Sequence, residues 1–325
     1  MRNSGFTIIE LMIASAIMAI VMVFTMEIFI VNNRTYIKID SVVDTQQGLR
    51  AIASLLERDL RHAGMMVPEA AAICGIDNTD APDLLYISDY TAINPVDAIG
   101  SFDGARVQGG VTNVNNGPGT TLALDSLTIE PDTPDPSYDT DGNGVNDSDF
   151  RVNGGVIIVD LTNPGRGSVC GIVTNVNLGT DSITINIKTA SMPASASGTL
   201  IAVPALEYRI DSNTLFRNNL RLADGVEDLQ VVYFLDSNGN SDLDAGELWG
   251  IKNNDYLAAD RDARELRAVR FNVVARTRSE DERFTDGFFQ ATENRDAGTT
   301  SDGYRRRVHT AIVRTRNVGD RVEGT

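Results

Sequence analysis

The chain has 325 residues, with 45 acidic and 28 basic side chains and a formal net charge of −17 at pH 7. This length is enough for one large or two modest domains. Because proteins bind nucleic acid by placing Lys and Arg against phosphates, the acidic balance argues against a nucleic-acid partner. It favours solubility, cation binding and repulsion from anionic lipid.

An apolar run extends from Phe6 to Val31 and contains only two strongly polar side chains, Glu10 and Glu27. As a helix it is long enough to cross a bilayer core of about 30 Å. It is too long for a general secretory signal, and no small-residue cleavage site follows it. The short start with Arg2 should stay in the cytoplasm, so everything after the run is predicted to lie across the membrane.

The same helix is predicted to continue beyond the membrane. Residues 6–47 contain neither Gly nor Pro, and from Asp40 onward apolar residues recur at helical spacing. Gly64 and the proline that follows at Pro68 are typical of a helix end. We therefore predict one helix from residue 6 to about residue 63, with a membrane-spanning half at 6–31 and an amphipathic half at 32–66.

After Pro68 the chain changes to short β-branched or alternating runs, which predict strands of a mainly antiparallel sheet. The predicted strands are 155–161, 182–188, 205–210, 229–235, 266–275 and 308–316, with a hairpin turn at 211–213. Val269, Phe271 and Val273 alternate with Arg270 and Asn272, which predicts one buried and one solvent-facing side. The predicted fold class is α+β, with the long N-terminal helix packed on the sheet.

The stretch GFTIIE at residues 5–10 resembles the processing site of type IV pilins and of type II secretion pseudopilins. That resemblance implies that a prepilin peptidase removes residues 1–5, cutting after Gly5, and methylates the new terminal amine of Phe6. Three further segments, 46–64, 222–236 and 304–317, are similar to PilW-type minor pilins. The exported domain at 67–325 would then contain an unmatched region at about 68–201 and a PilW-like core at about 202–325.

Glu10 lies inside the apolar run, where an isolated carboxylate is costly. Cleavage after Gly5 would expose the amine of Phe6, and a buried cation and anion offset part of each other's desolvation. The pilin resemblance implies that Glu10 pairs with the amine of a neighbouring subunit and so aligns the helices during assembly. Pairing with its own chain's amine, or with the positive end of its own helix, is the plainer alternative.

The resemblance also implies where the protein acts. It predicts a single-pass inner-membrane protein with a periplasmic C-terminal domain that later enters a pilus at the cell surface. Its implied partners are other minor pilins, the major pilin, the prepilin peptidase and the inner-membrane assembly platform. It would prime assembly or occupy the tip, without catalysing a reaction. The alternatives are a minor pseudopilin of a type II secretion system and a tip adhesin that uses residues 68–201.

Two cysteines, Cys74 and Cys170, lie in the exported part. In an oxidising compartment we expect them to pair and to close a long loop. The alternative is two separate buried thiols. The chain also has only two histidines, and no Gly-rich phosphate loop is present, so we predict no catalytic residue.

Two acidic loops have spacings typical of calcium sites, in which alternate oxygen-bearing residues surround one ion. The first resembles the loops of thrombospondin type 3 repeats and dockerins, and its predicted ligands are Asp139, Asp141, Asn143, Val145, Asp147 and Asp149. The second resembles an EF-hand loop, and its predicted ligands are Asp236, Asn238, Asn240, Asp242, Asp244 and Glu247. The alternative for both is a solvated turn, which Asn and Asp favour by bonding their own backbone.

A basic run, Arg305, Arg306 and Arg307, precedes the last predicted strand. Charged side chains on an edge strand keep it from pairing with other chains. We therefore interpret the run as a solvated or edge-protecting strand rather than a ligand site.

Overall fold

The computed structural model describes residues 7–89, 105–108, 114, 117–125, 150–163, 167–189, 192, 198–240, 242–249, 265–281 and 283–318. Helix α1 covers Ile8–His62, 55 residues, and is therefore about 80 Å long. It ends where the sequence predicts, because Gly64 takes a φ of 77° that other residues rarely adopt. A Cβ at Gly64 would also lie 2.7 Å from Val318.

The two halves of α1 have different environments. The first half is exposed, and α1 is the one helix among the described residues that is long and apolar enough to cross a membrane. The second half buries one face against strands of both sheets. The buried residues are Leu49, Ile52, Ala53, Leu56, Asp59 and Leu60.

The described strands form two antiparallel sheets. The larger sheet has the order β1-β2-β8-β5-β6-β7-β4, with β3 and β9 also paired to β8, and β10 paired to β9. Its strands are β1 (Ile73–Ile76), β2 (Leu84–Ser88), β3 (Ala105–Arg106), β4 (Gly117–Ala123), β5 (Gly155–Asp160), β6 (Ser168–Asn177), β7 (Ser182–Ile187), β8 (Leu200–Asp211), β9 (Thr214–Arg217) and β10 (Leu220–Asp224). The smaller sheet has the order β12-β11-β13-β14, made of β11 (Val226–Leu235), β12 (Leu248–Trp249), β13 (Leu266–Arg276) and β14 (Arg306–Arg314).

The predicted fold class is confirmed: one long apolar N-terminal helix packs on mainly antiparallel sheets. All six predicted strands are present, with β8 and β11 longer than expected. The predicted hairpin joins β8 to β9, and Ser212 and Asn213 have positive φ angles of 51° and 59°. Two such residues form the tight turn that matches the twist of antiparallel strands.

Two clusters of buried side chains fill the domain. The main cluster joins the second half of α1 to both sheets, and it includes Leu56, Leu60, Tyr208 and Phe271. A second cluster covers the opposite face of the larger sheet around Ile158. Strands β5 and β8 separate the two clusters, so the region without a family resemblance continues the same sheet as the PilW-like region.

The prediction of a solvent-facing side on β13 is wrong. Asn272 is buried and Arg270 is half-buried, because residues 283–304 cross this face of the smaller sheet. Glu293 from that segment accepts hydrogen bonds from Arg270 at 2.7 Å and from Asn272 at 2.5 Å.

The interpretation of Arg306 as a solvated residue is also wrong. Its side chain is only 7% exposed and forms ion pairs with Glu227 at 2.5 Å and Asp302 at 2.6 Å. Glu227 lies on β11 and Asp302 on the crossing segment. Neither carboxylate would contact Arg306 if β14 were an isolated strand.

Candidate functional site

The predicted cleavage residues, Gly5 and Phe6, lie outside the described residues. Thr7, the first of the described residues, caps the N-terminus of α1 together with Glu10. The Thr7 backbone N–H and hydroxyl each donate to Glu10 Oε2 at 2.9 Å, and the Glu10 N–H donates to Thr7 Oγ1 at 3.3 Å. This reciprocal arrangement is a capping box, which satisfies backbone donors that the first helical turn leaves unpaired.

Within one chain, Glu10 therefore takes the plainer of the predicted arrangements, at the positive end of its own helix. Its side chain is exposed, so the carboxylate is accessible to groups from outside the chain. Pairing with the amine of a neighbouring subunit stays a prediction.

A second carboxylate on α1, Asp59, was not singled out from the sequence. It is fully buried, and it accepts hydrogen bonds from the Tyr208 hydroxyl at 2.6 Å and from Arg217 Nε at 2.9 Å. Arg58 contributes a further contact at 3.1 Å. Burial, together with the neighbouring Asp59 charge, raises the pKa of the Tyr208 hydroxyl well above its ordinary value, so it remains a hydrogen-bond donor.

The Asp59 cluster fastens the helix to the larger sheet, since Tyr208 lies on β8 and Arg217 on β9. One signal in the sequence could have identified Asp59 as a buried, paired residue. Asp59 follows Ile52 by two helical turns and is therefore in the apolar stripe of the amphipathic half. A charged residue in such a stripe is buried only if it is paired.

Cys74 and Cys170 form a disulfide with their Cα atoms 6.1 Å apart. The bond joins β1 to β6, and both residues are fully buried. The predicted pairing is therefore present, and it links two parts of the larger sheet that are 96 residues apart in the sequence.

The first predicted calcium loop, Asp139 to Asp149, lies outside the described residues. The second loop is described except for position 241. Its two buried carboxylates, Asp236 and Glu247, already have partners inside the protein. Arg267 Nε lies 3.1 Å from Asp236 Oδ2, and Glu247 Oε1 accepts backbone N–H groups from Ser237 and Asn238 at 3.0 and 3.2 Å.

The remaining predicted ligands of this loop also bond to one another. Asn238 and Asn240 donate their side-chain amides to Asp244 Oδ2 at 3.2 and 2.9 Å. Asp242 donates its backbone N–H to Asn240 Oδ1 at 2.8 Å. Within the described residues, no group of three or more His, Cys, Asp or Glu side chains is arranged to share a metal ion. Calcium binding here would require Asp236 and Glu247 to turn from these partners, and it stays a prediction.

Comparison with protein families identifies both ends of the chain. Residues 1–26 match the model of the prokaryotic N-terminal methylation motif. Residues 193–317 match the model of PilW, described as type IV pilus-assembly protein W. The chain is therefore similar to type IV pilin-like proteins in both of these regions. The resemblances inferred from residues 5–10, 222–236 and 304–317 are thereby confirmed.

The chain is also similar to a solved structure, the type IV-like pilin TTHA1219 from Thermus thermophilus. The sequence identity is 13% and the TM-score 0.32, over 84% of this chain and 95% of the other. No curated protein matches the chain.

Proposed function

We propose that the protein is a minor pilin, a structural subunit that enters a type IV pilus at or near its tip and helps to start assembly. One observation carries this proposal: a prepilin-type N-terminus and a PilW-type C-terminal region occur in the same chain. The matched families are structural proteins, which supports a role without catalysis.

The two environments of α1 support the same role. Apolar side chains of the first half, such as Leu11, Ile17 and Phe24, are more than half exposed. Such a surface is stable only in lipid or against other helices. We infer that it occupies the inner membrane first and the filament core later. The second half is fixed to the domain, so moving the helix moves the whole subunit.

The chain would cross the inner membrane once, with its C-terminal domain in the periplasm. The prepilin peptidase would cut after Gly5, and the assembly platform would transfer the helix from lipid to a growing filament of minor and major pilins. The new amine at Phe6 would then meet Glu10 of a neighbour, with the Thr7 contacts exchanged for a charged pair.

Processing is tested by replacing Gly5. In the native host, Gly5→Ala should leave the chain full-length and absent from sheared pili, while the matched control Ser4→Ala is shortened normally. Mass spectrometry of the N-terminal peptide distinguishes the two forms and also detects methylation of Phe6. Normal shortening of the Gly5→Ala chain would contradict the proposed cleavage site.

Assembly is tested by comparing the two acids of the apolar run. Glu10→Gln should leave the amount in the membrane fraction unchanged and remove the chain from sheared filaments. Glu27→Gln is the matched control, because it removes the same charge from the far end of the run. Equal incorporation of both variants into sheared filaments would contradict the proposed pairing of Glu10. Recovery of the chain with a type II secretion complex rather than with pili would favour the pseudopilin alternative.

We also propose that the acidic loops bind calcium when the domain is exported. Calcium is abundant enough outside cells to fill weak sites. Titration calorimetry of the full chain with calcium should show binding, and Asp139→Ala and Asp236→Ala assign it to one loop or the other. Heat of binding that both single variants and their combination retain would reject both sites.

A further inference from the structure

A groove runs between α1 and the smaller sheet immediately after the apolar run. It has a volume of about 560 Å³, within the range of small-molecule sites. The helix contributes Val31, Arg34, Ile37 and Lys38 to one wall of the groove. The opposite wall contains Arg283, from the segment after β13, and Arg305. The groove therefore combines two apolar side chains, Val31 and Ile37, with several cationic side chains in a mainly polar lining.

Asp281 holds the two walls of this groove together. Its carboxylate lies 2.8 Å from Lys38 Nζ on the helix and 3.1 Å from Arg305 Nη2. Hydrogen bonds from Lys38 and then from Arg305 lower the pKa of Asp281 to about 2, so it remains ionised. The Arg305 guanidinium also lies 4.1 Å from the centre of the Phe284 ring.

The charge of the groove is opposite to that of the whole protein. Four of its lining side chains are basic and two, Glu280 and Asp281, are acidic, whereas the chain as a whole carries −17. Asp281 is shared by Lys38 and Arg305. Arg34 and Arg283 are exposed and have no carboxylate partner among the residues that the structure describes. The groove therefore favours an anion.

The groove lies at the height where lipid headgroups are expected. At 1.5 Å per residue, Arg34 is roughly 40 Å along the helix from Thr7, and a bilayer with its headgroups is about 40–45 Å thick. Tyr36, on the same turn of α1 as Arg34, is 70% exposed. Exposed aromatic rings are typical of the boundary between membrane and water.

We propose that this groove binds the phosphate of an anionic phospholipid in the leaflet that faces the domain. This inference rests on the proposed function, because it requires α1 to span a membrane. Arg34 and Arg283 would donate to the phosphate oxygens, and Val31 and Ile37 would contact the apolar part of the same lipid. The acidic domain is otherwise repelled by anionic lipid, so one basic groove fixes which side of the domain rests on the membrane.

The test uses the full chain in lipid nanodiscs. Hydrogen exchange of residues 277–281 is measured in discs of phosphatidylcholine alone and in discs with about one third phosphatidylglycerol. We expect roughly fivefold slower exchange with phosphatidylglycerol. A lipid that binds the folded segment, but not the locally unfolded one, reduces local unfolding in proportion to its occupancy. Arg34→Gln with Arg283→Gln should abolish this difference.

Arg50→Gln with Arg316→Gln is the matched control, since it removes two exposed arginines outside the groove and should preserve the difference. Equal exchange in both kinds of disc would overturn the proposal. The same slowing by inorganic phosphate in detergent would mean a free-phosphate site instead, and slowing only in discs with two chains would mean that a neighbouring chain binds. A chain that fails to enter the discs would contradict the membrane anchor, and with it the proposed function. Failure of the lipid site alone is therefore distinguishable from failure of the proposed function.

Discussion

Glu10 in the first half of α1 and Asp59 in the second half differ in which groups hydrogen-bond to their carboxylates. Glu10 is exposed, and its hydrogen bonds come from Thr7, three residues earlier in the same helix. Asp59 is fully buried, and its partners Tyr208 and Arg217 are 149 and 158 residues away in the sequence. The first half therefore depends on an environment outside the chain, and the second half depends on the domain.

This difference suggests how one helix can serve both in a membrane and in a filament. The first half can change neighbours without loss of contacts inside the chain, because it makes few of them. The second half cannot change neighbours in this way, because separating Asp59 from its partners would leave a buried charge without compensation. Four predictions test this comparison.

The largest effect is expected from Asp59→Ala. It leaves the buried Tyr208 hydroxyl and the partly buried Arg217 without their acceptor, which should lower the free energy of unfolding by about 3–5 kcal/mol. Urea unfolding, followed by fluorescence of the single tryptophan, Trp249, measures it. The control Glu57→Ala removes an exposed pair with Arg61 on the same helix and should cost less than about 1 kcal/mol. Similar losses in both variants would mean that Asp59 is not an anchor.

Removing the disulfide should have the next largest effect. Cys74→Ser with Cys170→Ser releases a long loop in the unfolded chain, which should lower the free energy of unfolding by about 2–4 kcal/mol. The bond lies between strands of the larger sheet, so the Asp59 cluster should remain formed. Hydrogen exchange at the C-terminal turns of α1 checks this. Rapid exchange there in the folded variant would show that the helix anchor needs the disulfide.

Asp83, a buried acid with no cationic partner among the described residues, sharpens the comparison with Asp59. Asp83 accepts backbone N–H groups from Asn78 and Val231 at 2.8 Å each, and burial raises its pKa to about 8. Because this folded-state pKa lies above the unfolded value, its contribution to stability is full below about pH 4 and is lost as pH rises to about 8.

Between these limits the stability of the folded state declines as pH rises. Asp83→Asn should therefore flatten the decline of unfolding free energy between pH 5 and pH 8 (about the interval between the two pKa values). Urea unfolding at several pH values measures the slope. An unchanged slope would mean that Asp83 is ionised in the folded protein.

The smallest effect is expected from deleting residues 1–31. The described part of this segment, residues 7–31, is exposed along its length, so the free energy of unfolding should change by less than about 0.5 kcal/mol. The same fluorescence measurement in urea checks it, with the full chain in detergent as the reference. A much larger loss would show that the first half of α1 supports the domain, contrary to the comparison.

Local features of the sequence predicted several parts of the fold. The absence of Gly and Pro from residues 6–47 and the pair Gly64 and Pro68 predicted the extent of α1. Alternating β-branched runs predicted the strands, since a side-chain period of two is a local property of an extended chain. Two cysteines in an exported domain leave one possible intramolecular pair.

Partners that are distant in the sequence could not be predicted in this way. Arg306 has the sequence context of a solvated edge, but its side chain is only 7% exposed because it pairs with Glu227, 79 residues away, as well as with the nearby Asp302. The loop with EF-hand spacing places Asp236 against Arg267, a partner on β13 that is 31 residues away in the sequence. The spacing of possible ligands does not show whether another side chain has already neutralised them.

The sequence by itself determined that a prepilin-type segment precedes a long apolar helix and a β-rich domain, because leader, hydrophobic run and strand periodicity are all encoded over a few neighbouring residues. Only the tertiary structure decided which acids are anchored and where the cationic groove lies. Asp59, Asp281 and Arg283 acquire their roles from side chains that meet after folding, since burial and charge pairing depend on distances in space.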